Sequence, residues 1–227
     1  MRHIFVDFEM NHIAAEYVEE RGFSKMEIVE IGAVMLDDGC NEIDSFKSYV
    51  KPEFNDKIEK ICTKVTGITT ETVADAPVLW PALQQFVRWC GNDDLTVYAW
   101  SDADLRQLKR ELSLKEIECK ELHRLCDNWV DFQRMFGDML GISQRVSLKH
   151  AIHAIHADFD GDAHDALWDA RNTAKIFTLS KNETEFQRIM GPVIEAFKPA
   201  EPMTSTLADL FPEMAKLLAA AEPQTTV

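Results

Sequence analysis

The stretch HIFVDFEM, residues 3–10, combines the start of a buried strand with two closely spaced acids. The letters IFV are apolar and favour a core strand, and Asp7 and Glu9 follow with one residue between them. Because successive side chains of a strand alternate between its faces, these two carboxylates point the same way. Neighbouring carboxylates repel each other and are costly to bury without a positive partner. The stretch therefore predicts a core strand whose acidic pair lies beside a cation.

The composition indicates a globular protein with reduced thiols. The chain has 227 residues, of which 46% are hydrophobic, enough for one large α/β domain with a core. It has no apolar run of about 18 residues, and its N-terminus lacks the charged-then-apolar design of a secretion signal. The five cysteines are scattered and never form a CxxC pair, which favours free thiols over disulfides or a structural zinc site. We therefore expect a cytoplasmic protein without a membrane span.

The charge balance limits how this chain can bind nucleic acid. With 24 basic and 39 acidic residues, its formal net charge is −15. A protein that coats long nucleic acid by counterion release needs a basic surface, so this balance argues against that class. A pocket that grips one short end stays compatible, because bound metal ions and a few basic side chains can offset the local charge.

Hydrophobic patterning predicts strands and helices along most of the chain. The predicted strands are residues 3–10, 26–36, 44–52, 95–100 and 120–128. The predicted helices are residues 81–90, 101–112, 131–140, 147–155, 166–180 and 186–197. Three successive strands, followed by strands separated by helices, indicate an α/β fold with a mixed sheet flanked by helices.

The character of the sequence changes near residue 182. Residues 1–181 form the predicted α/β domain, and residues 182–227 form a predicted helical C-terminal extension with a linker near 198–203. Residues 202–221 are patterned as an amphipathic segment. This segment is expected to form a strap over the domain, since its apolar side chains would otherwise be exposed. The alternative is a surface for a protein partner or a second copy of the chain.

Acidic residues also collect in two distant segments. Asp102 and Asp104 follow the predicted strand 95–100, and the loop and helix start at 158–169 carry five aspartates. Carboxylates without cysteine suit hard cations such as Mg²⁺ or Mn²⁺, and two such ions about 3.5–4 Å apart serve to cleave phosphodiesters. From spacing alone, a metal site and a solvated acidic surface both remain open.

Spacing also leaves the choice within the last acidic segment open. Asp165 and Asp169 are four residues apart and would share a helix face, whereas His164 and Asp169 would not.

Three motifs resemble those of the DEDDh exonucleases, the family of RNase T and of the proofreading subunit of DNA polymerase III. The family has D-x-E on the first strand, an Asp before a middle helix and H-x4-D near the end. In this chain VDFEM, YAWSDADLRQL and AHDALWDARNTA match that pattern in order. The matched positions are Asp7, Glu9, Asp104, His164 and Asp169. The resemblance covers about residues 1–180 and implies an RNase H-like fold.

The middle position is assigned to Asp104 because it begins a D-L-x-x-L-like helix start, as in the family, with Asp102 as the alternative. Within the family the chain is similar to the 3′ histone mRNA exonuclease branch and its bacterial KapD-like relatives. Residues 45–69, which contain YVKP and TGIT, and residues 159–174 carry this similarity. One departure is Trp168, which stands where many relatives have a second acid.

By this resemblance the protein is a 3′→5′ exonuclease that releases nucleoside 5′-monophosphates from single-stranded ends, with RNA favoured over DNA. Asp7, Glu9, Asp104 and Asp169 would hold two Mg²⁺ ions, which Mn²⁺ can replace, with Asp7 bridging both. His164 would be the general base for the attacking water. The alternatives are a DNA exonuclease of the proofreading or repair kind and an inactive nucleic-acid-binding scaffold. The five filled positions argue against the scaffold.

Candidates for binding the nucleic-acid 3′ end lie near these motifs. Phe8 and Met10 flank Glu9 and could pack on the terminal base, although Phe8 equally suits the core. Lys149, Arg106 and Lys109 could neutralise backbone phosphates, with ordinary solvation as the alternative for each.

Overall fold

The computed structural model describes residues 1–92 and 94–197. Its strands are β1 Arg2–His12, β2 Met26–Leu36, β3 Glu42–Tyr49, β4 Leu95–Ala99 and β5 Trp129–Asp131. Within these residues the five strands form one sheet in the order β3-β2-β1-β4-β5. The pairs β1–β2 and β2–β3 are antiparallel, whereas β4 is parallel to both β1 and β5. The predicted mixed sheet is confirmed.

Helices lie on both faces of this sheet; among the described residues, six precede the last strand in the chain and four follow it. They are α1 Glu20–Phe23, α2 Lys60–Thr66, α3 Thr70–Val73, α4 Leu79–Cys90, α5 Ala103–Leu114, α6 Lys120–Asp127, α7 Phe132–Leu140, α8 Leu148–Ala154, α9 Ala166–Lys181 and α10 Glu183–Phe197. The six predicted helices are all present, with ends that differ by about three residues or fewer.

The prediction of a strand at residues 120–128 was wrong, because this segment forms α6. Its buried residues are Leu122, Leu125 and Cys126, and their spacing of three and four places them on one helix face. The strand that completes this edge of the sheet is the next segment, β5.

The side chains of β1 alternate between two hydrophobic cores. Ile4, Val6 and Phe8 pack in a first core with residues of α4, α5 and α6. Phe5 packs in a second core with residues of α7, α8, α9 and α10. Because alternation continues along the strand, the face of Phe5 is also the face of the two acids that follow. The acidic pair predicted from the sequence therefore lies on the side of the sheet that α9 covers.

The predicted C-terminal extension begins in the structure with α10. Phe186 and Met190 of this helix are buried in the second core. The predicted linker near 198–203 and the segment 202–221 lie outside the described residues. None of the helices in residues 1–92 and 94–197 is long and apolar enough to span a membrane.

Helix α9 approaches the sheet closely at Gly32. This residue lies opposite Asp7 in the β1–β2 ladder. A Cβ atom at Gly32 would lie 2.1 Å from the backbone nitrogen of Leu167 and 2.2 Å from the carbonyl carbon of Ala166. Any side chain here would therefore push the first turn of α9 off the sheet. The glycine thus sets how near α9, and with it Asp169, can come to the acids of β1.

We expect Gly32→Ala to destabilise the protein by about 3 kcal/mol, because the added methyl group overlaps backbone atoms that cannot rotate away. Urea unfolding followed by circular dichroism measures this change. Gly22→Ala is the matched control, since a Cβ at Gly22 meets nothing within 4 Å. Equal stability of the Gly32→Ala variant and the unchanged protein would contradict the close approach of α9.

Candidate active site

Asp7 and Glu9 form the first part of an acidic cluster on β1. Asp7 lies opposite Gly32 in the ladder, and Glu9 lies opposite Glu30. Burial, together with the negative charges of Asp169 and Glu30, raises the pKa of Glu9 to about 9. Burial and the neighbouring carboxylate of Asp104 likewise hold the pKa of Asp7 well above its usual range. Both groups are therefore costly to ionise in the metal-free protein.

Asp104 joins this cluster from the start of α5. Its Oδ1 accepts a hydrogen bond of 3.2 Å from the backbone N–H of Phe8, and the residue is only 6% exposed. Burial raises the pKa of Asp104 to about 7, although the hydrogen bond from Phe8 opposes that rise. Asp102 instead forms ion pairs with Arg106 and Arg145. The residue that contacts β1 is thus Asp104, the one favoured by the sequence.

His164 and Asp169 complete the cluster from the start of α9. One ligand atom each from Glu9, His164 and Asp169 lies within 4.8 Å of the others. His164 has a φ of 67°, in the left-handed region, and is exposed. Burial raises the pKa of Asp169 to about 6. The structure therefore brings all five motif residues together, and their catalytic roles remain predictions.

The helix-face argument did not identify the residue that meets Asp169. Asp165 is the N-cap of α9, and its side chain accepts hydrogen bonds from the backbone N–H groups of Leu167 and Trp168. His164 lies before the helix, where its left-handed backbone lets the ring approach Asp169. Helical spacing could not predict this contact, because neither residue 164 nor residue 165 lies within the helix.

The cluster fits a divalent metal ion by its donor atoms and by an unsatisfied oxygen. Asp169 Oδ1 is buried and has no hydrogen-bond partner among the described residues. Among those same residues, no ion pair joins Asp7, Glu9, Asp104 or Asp169 to a lysine or arginine. Carboxylate oxygens gathered without a protein cation are typical ligands of Mg²⁺ and Mn²⁺.

A second group of buried acids shows the opposite arrangement. Glu27 and Glu111 are both fully buried. The Nζ of Lys115 lies 3.0 Å from Glu27 Oε1 and 3.3 Å from Glu111 Oε2. The side chain of Glu27 also accepts hydrogen bonds from the backbone N–H groups of Glu53 and Phe54. Lys115 therefore supplies a protein cation to this group and links β2 with α5, whereas the acids on β1 have no lysine or arginine partner among the described residues.

The predicted substrate contacts fall in different environments. Phe8 is 4% exposed and packs in the first core, with its ring centre 6.2 Å from that of Trp129. The core alternative for Phe8 therefore holds, and its side chain offers no surface for a base. Met10 is half-buried beside Glu9, after a register shift in β1. Lys149 is exposed on α8, and Lys109 is exposed on α5.

Sequence reasoning missed three residues near the cluster. Glu30 is 1% exposed in the middle of β2, and an acid inside an apolar strand is itself a signal. Lys47 on β3 forms ion pairs with Glu30 and Asp165, and Arg145 pairs with Asp102. No local pattern marks Lys47 or Arg145, because each meets partners distant in sequence.

Comparison with known proteins supports the resemblance drawn from the motifs. The RNase T family, described as exonucleases, matches residues 4–177. The chain is 30% identical over 193 residues to ERI1 exoribonuclease 2 of Danio rerio, covering 75% of this chain and 33% of that protein. It is 28% identical over 161 residues to 3′-5′ exoribonuclease 1 of Rattus norvegicus, covering 66% of this chain and 45% of that protein. The chain thus spans less than half the length of these two relatives.

A solved structure of similar shape is the nuclease domain of 3′hExo, a DEDDh family member, bound to rAMP. The two chains superpose with a TM-score of 0.69 at 23% identity, covering 81% of this chain and 94% of that one. This similarity confirms the predicted RNase H-like fold.

The raised pKa values predict how pH changes stability when metal is chelated. Glu9, Asp104 and Asp169 have pKa values of about 9, 7 and 6 when folded, whereas unfolded carboxyls titrate near 4. The folded protein therefore binds more protons than the unfolded one, so stability is highest below about pH 4 for these groups and falls as pH rises towards 9.

We expect Glu9→Gln to remove much of this fall, since the largest of the three shifts disappears. The free energy of unfolding in EDTA, measured with urea from pH 5 to 9, gives the slope for each variant. Glu16→Gln, at an exposed acid, is the control and should keep the slope of the unchanged protein. Added Mg²⁺ should restore most stability at high pH, because the ion competes with protons for the carboxylates. Identical slopes for the Glu9→Gln variant and the unchanged protein would contradict the electrostatic account.

Proposed function

Because the chain belongs to the RNase T family of exonucleases, we propose that it is a metal-dependent 3′→5′ exonuclease acting on single-stranded ends. The observation that carries this proposal is the group of Asp7, Glu9, Asp104 and Asp169, which gathers beside His164 without a protein cation. RNA is the favoured substrate, since the two relatives reported above are named as exoribonucleases. The products are nucleoside 5′-monophosphates.

The carboxylates are the groups that would hold the metal. Nucleases of this family use divalent metals, and we propose two Mg²⁺ ions, replaceable by Mn²⁺, between Asp7, Glu9, Asp104 and Asp169. Bound ions of this kind activate water and stabilise negative charge on phosphate oxygens. The protein contributes a rigid donor set, because Asp7 and Glu9 are held by the sheet and Asp104 by its hydrogen bond to β1.

His164 is proposed as the general base. Its ring lies beside Glu9 and Asp169 and is exposed, so it can take a proton at the site and release it to solvent. An imidazole nitrogen accepts the proton of the attacking water as the new bond to phosphorus forms. The bond from phosphorus to the 3′ oxygen breaks, and that oxygen takes a proton from solvent to become the 3′ hydroxyl of the shortened strand. The phosphate stays on the released nucleotide.

Location and partners are further parts of the proposal. All five cysteines are free thiols, which supports a cytoplasmic protein. Nucleic-acid 3′ ends are the proposed binding partners. A second copy of the chain or another protein could bind through residues 202–221, the alternative to a strap over the domain.

The proposed function predicts metal-dependent shortening of labelled oligomers from the 3′ end. With 3′- and 5′-labelled RNA and DNA in Mg²⁺, Mn²⁺ or EDTA, we expect shortening only with metal and faster on RNA. Asp7→Asn should abolish cleavage, whereas His164→Ala should lower kcat about 10²–10⁴-fold and keep Mn²⁺ binding measured by calorimetry. Asp162→Asn, an exposed acid in the same loop, is the control and should stay active.

Each other result of this assay has a definite meaning. Faster cleavage of DNA than of RNA would favour the DNA exonuclease alternative. Metal and oligomer binding without shortening would favour the inactive scaffold. Full activity of the Asp7→Asn variant would show that the site is assigned wrongly.

Two arginines beside the cluster are proposed to contact the phosphate backbone of the substrate. Arg106 and Arg145 both pair with Asp102, two residues before Asp104, and their side chains are 53% and 59% exposed. More than half of each side chain therefore faces solvent, where a strand that enters the site could reach it. Backbone contacts of this kind position a strand without reading its sequence.

Arg145→Gln is expected to raise KM for an RNA oligomer by about tenfold and to leave kcat nearly unchanged, since one phosphate contact is lost. The slope of log KM against log salt concentration should decrease by roughly the amount that one phosphate contact contributes. Steady-state kinetics across a NaCl series measures both effects. Arg188→Gln, at an exposed arginine of α10 that pairs with Glu185, is the control. An unchanged salt dependence in the Arg145→Gln variant would exclude this contact.

A further inference from the structure

Lys47 joins three separate elements next to the acidic cluster. It lies on β3, and its Nζ is 2.7 Å from Glu30 Oε1 on β2 and 2.5 Å from Asp165 Oδ2 at the start of α9. The lysine side chain is 30% exposed, whereas Glu30 is 2% and Asp165 24% exposed. Although burial alone would lower the pKa of Lys47, its bonds to Asp165 and Glu30 raise it. The lysine is therefore charged and held between two acids.

Both acids that Lys47 contacts support the first turn of α9. The side chain of Asp165 accepts hydrogen bonds from the backbone N–H groups of Leu167 at 3.1 Å and Trp168 at 3.3 Å. Glu30 Oε2 accepts the backbone N–H of Ala166 at 3.4 Å. The first backbone N–H groups of α9 are thus bonded to two carboxylates, and both carboxylates form ion pairs with the ammonium group of Lys47.

This start of α9 carries two of the five motif residues. His164 directly precedes the N-cap Asp165 in the chain. Asp169 follows one turn later, and its backbone N–H bonds to the carbonyl of Asp165 at 2.9 Å. A displacement of Asp165 would therefore move both His164 and Asp169 away from the acids of β1.

A cation is needed between β3 and the start of α9 because several acids lie close together there. Glu30 lies opposite Glu9 in the ladder, and the charges of Glu30 and Asp165 act on both Glu9 and Asp169. Without the lysine, these like charges would push the start of α9 away from the sheet. Exposed ion pairs contribute little to stability, but removing the partner of a buried acid such as Glu30 is costly.

We propose that Lys47 is a positioning residue, which holds His164 and Asp169 in place for catalysis through its bonds to Glu30 and Asp165. This inference rests on the proposed exonuclease function. In the structure Lys47 forms ion pairs with these two acids, so it acts on the reaction through them. Removing Lys47 should therefore lower kcat and leave KM nearly unchanged, because the residue orients catalytic groups and does not bind the strand.

The first test replaces Lys47 by methionine, which keeps the length of the side chain and removes its charge. We expect kcat on an RNA oligomer to fall about 10–100-fold, with KM changed by less than about twofold. Lys47→Arg should recover most of kcat, since it restores the charge. Lys51→Met is the matched control, because Lys51 follows β3 and its Nζ donates to the carbonyl of Ala74, away from the cluster. Full kcat in the Lys47→Met variant would overturn the proposal.

A double-mutant cycle tests whether Lys47 acts through Asp165. Asp165→Asn removes the charge and keeps an oxygen that can cap α9. If the two residues act as a pair, the combined variant should lose much less kcat than the product of the two single losses. Losses that multiply independently would contradict the assigned route.

Hydrogen exchange supplies a readout that does not depend on activity. In the Lys47→Met variant, the amides of Leu167 and Trp168 should exchange at least about tenfold faster, while those of α4 should be unchanged. Unchanged exchange at the start of α9 would overturn the positioning role. If the protein without substitutions cleaves no oligomer, the proposed exonuclease function is refuted. Faster exchange at Leu167 and Trp168 in the Lys47→Met variant would still support the role of Lys47 in holding α9.

Discussion

Mutual repulsion among the carboxylates of Asp7, Glu9, Asp104 and Asp169 costs the folded protein free energy, and the surrounding structure offsets that cost. The acids come from β1, α5 and α9, and each element is fixed by apolar packing on the sheet. Because successive residues of β1 alternate between two cores, the strand is anchored on both faces while its acids stay on the face of α9. The hydrophobic cores thus hold together charged groups that would otherwise separate.

The two groups of buried acids differ in whether the protein supplies a cation beside them. Glu27 and Glu111 share Lys115, which offsets part of their negative charge at any metal concentration. The acids around Asp7 lack such a lysine or arginine within the described chain, and burial together with their mutual repulsion raises their pKa values. A divalent cation is the ligand that would relieve this repulsion.

The position of α9 depends on one steric and one electrostatic feature, and both lie on strands far from the helix in sequence. Gly32 leaves room for the helix backbone to contact β2 directly. Lys47 attracts the N-cap Asp165 and the strand residue Glu30 to one point. The glycine lets α9 approach and the lysine stops the nearby acids from driving it away, so the two features together determine where His164 and Asp169 lie.

From the sequence alone we predicted the mixed sheet, most of the helices that flank it, the shared face of Asp7 and Glu9, and the five motif positions. These features follow from local periodicity and from motif order along the chain. The sequence-based prediction misassigned α6, a short segment with too few apolar residues to distinguish a helix from a strand. Two contacts were visible only in the folded protein, namely the bridge from Lys47 to Glu30 and Asp165 and the close approach of α9 to Gly32. These contacts depend on how α9 docks across β2 and β3, and docking brings together residues whose local patterns contain no information about each other.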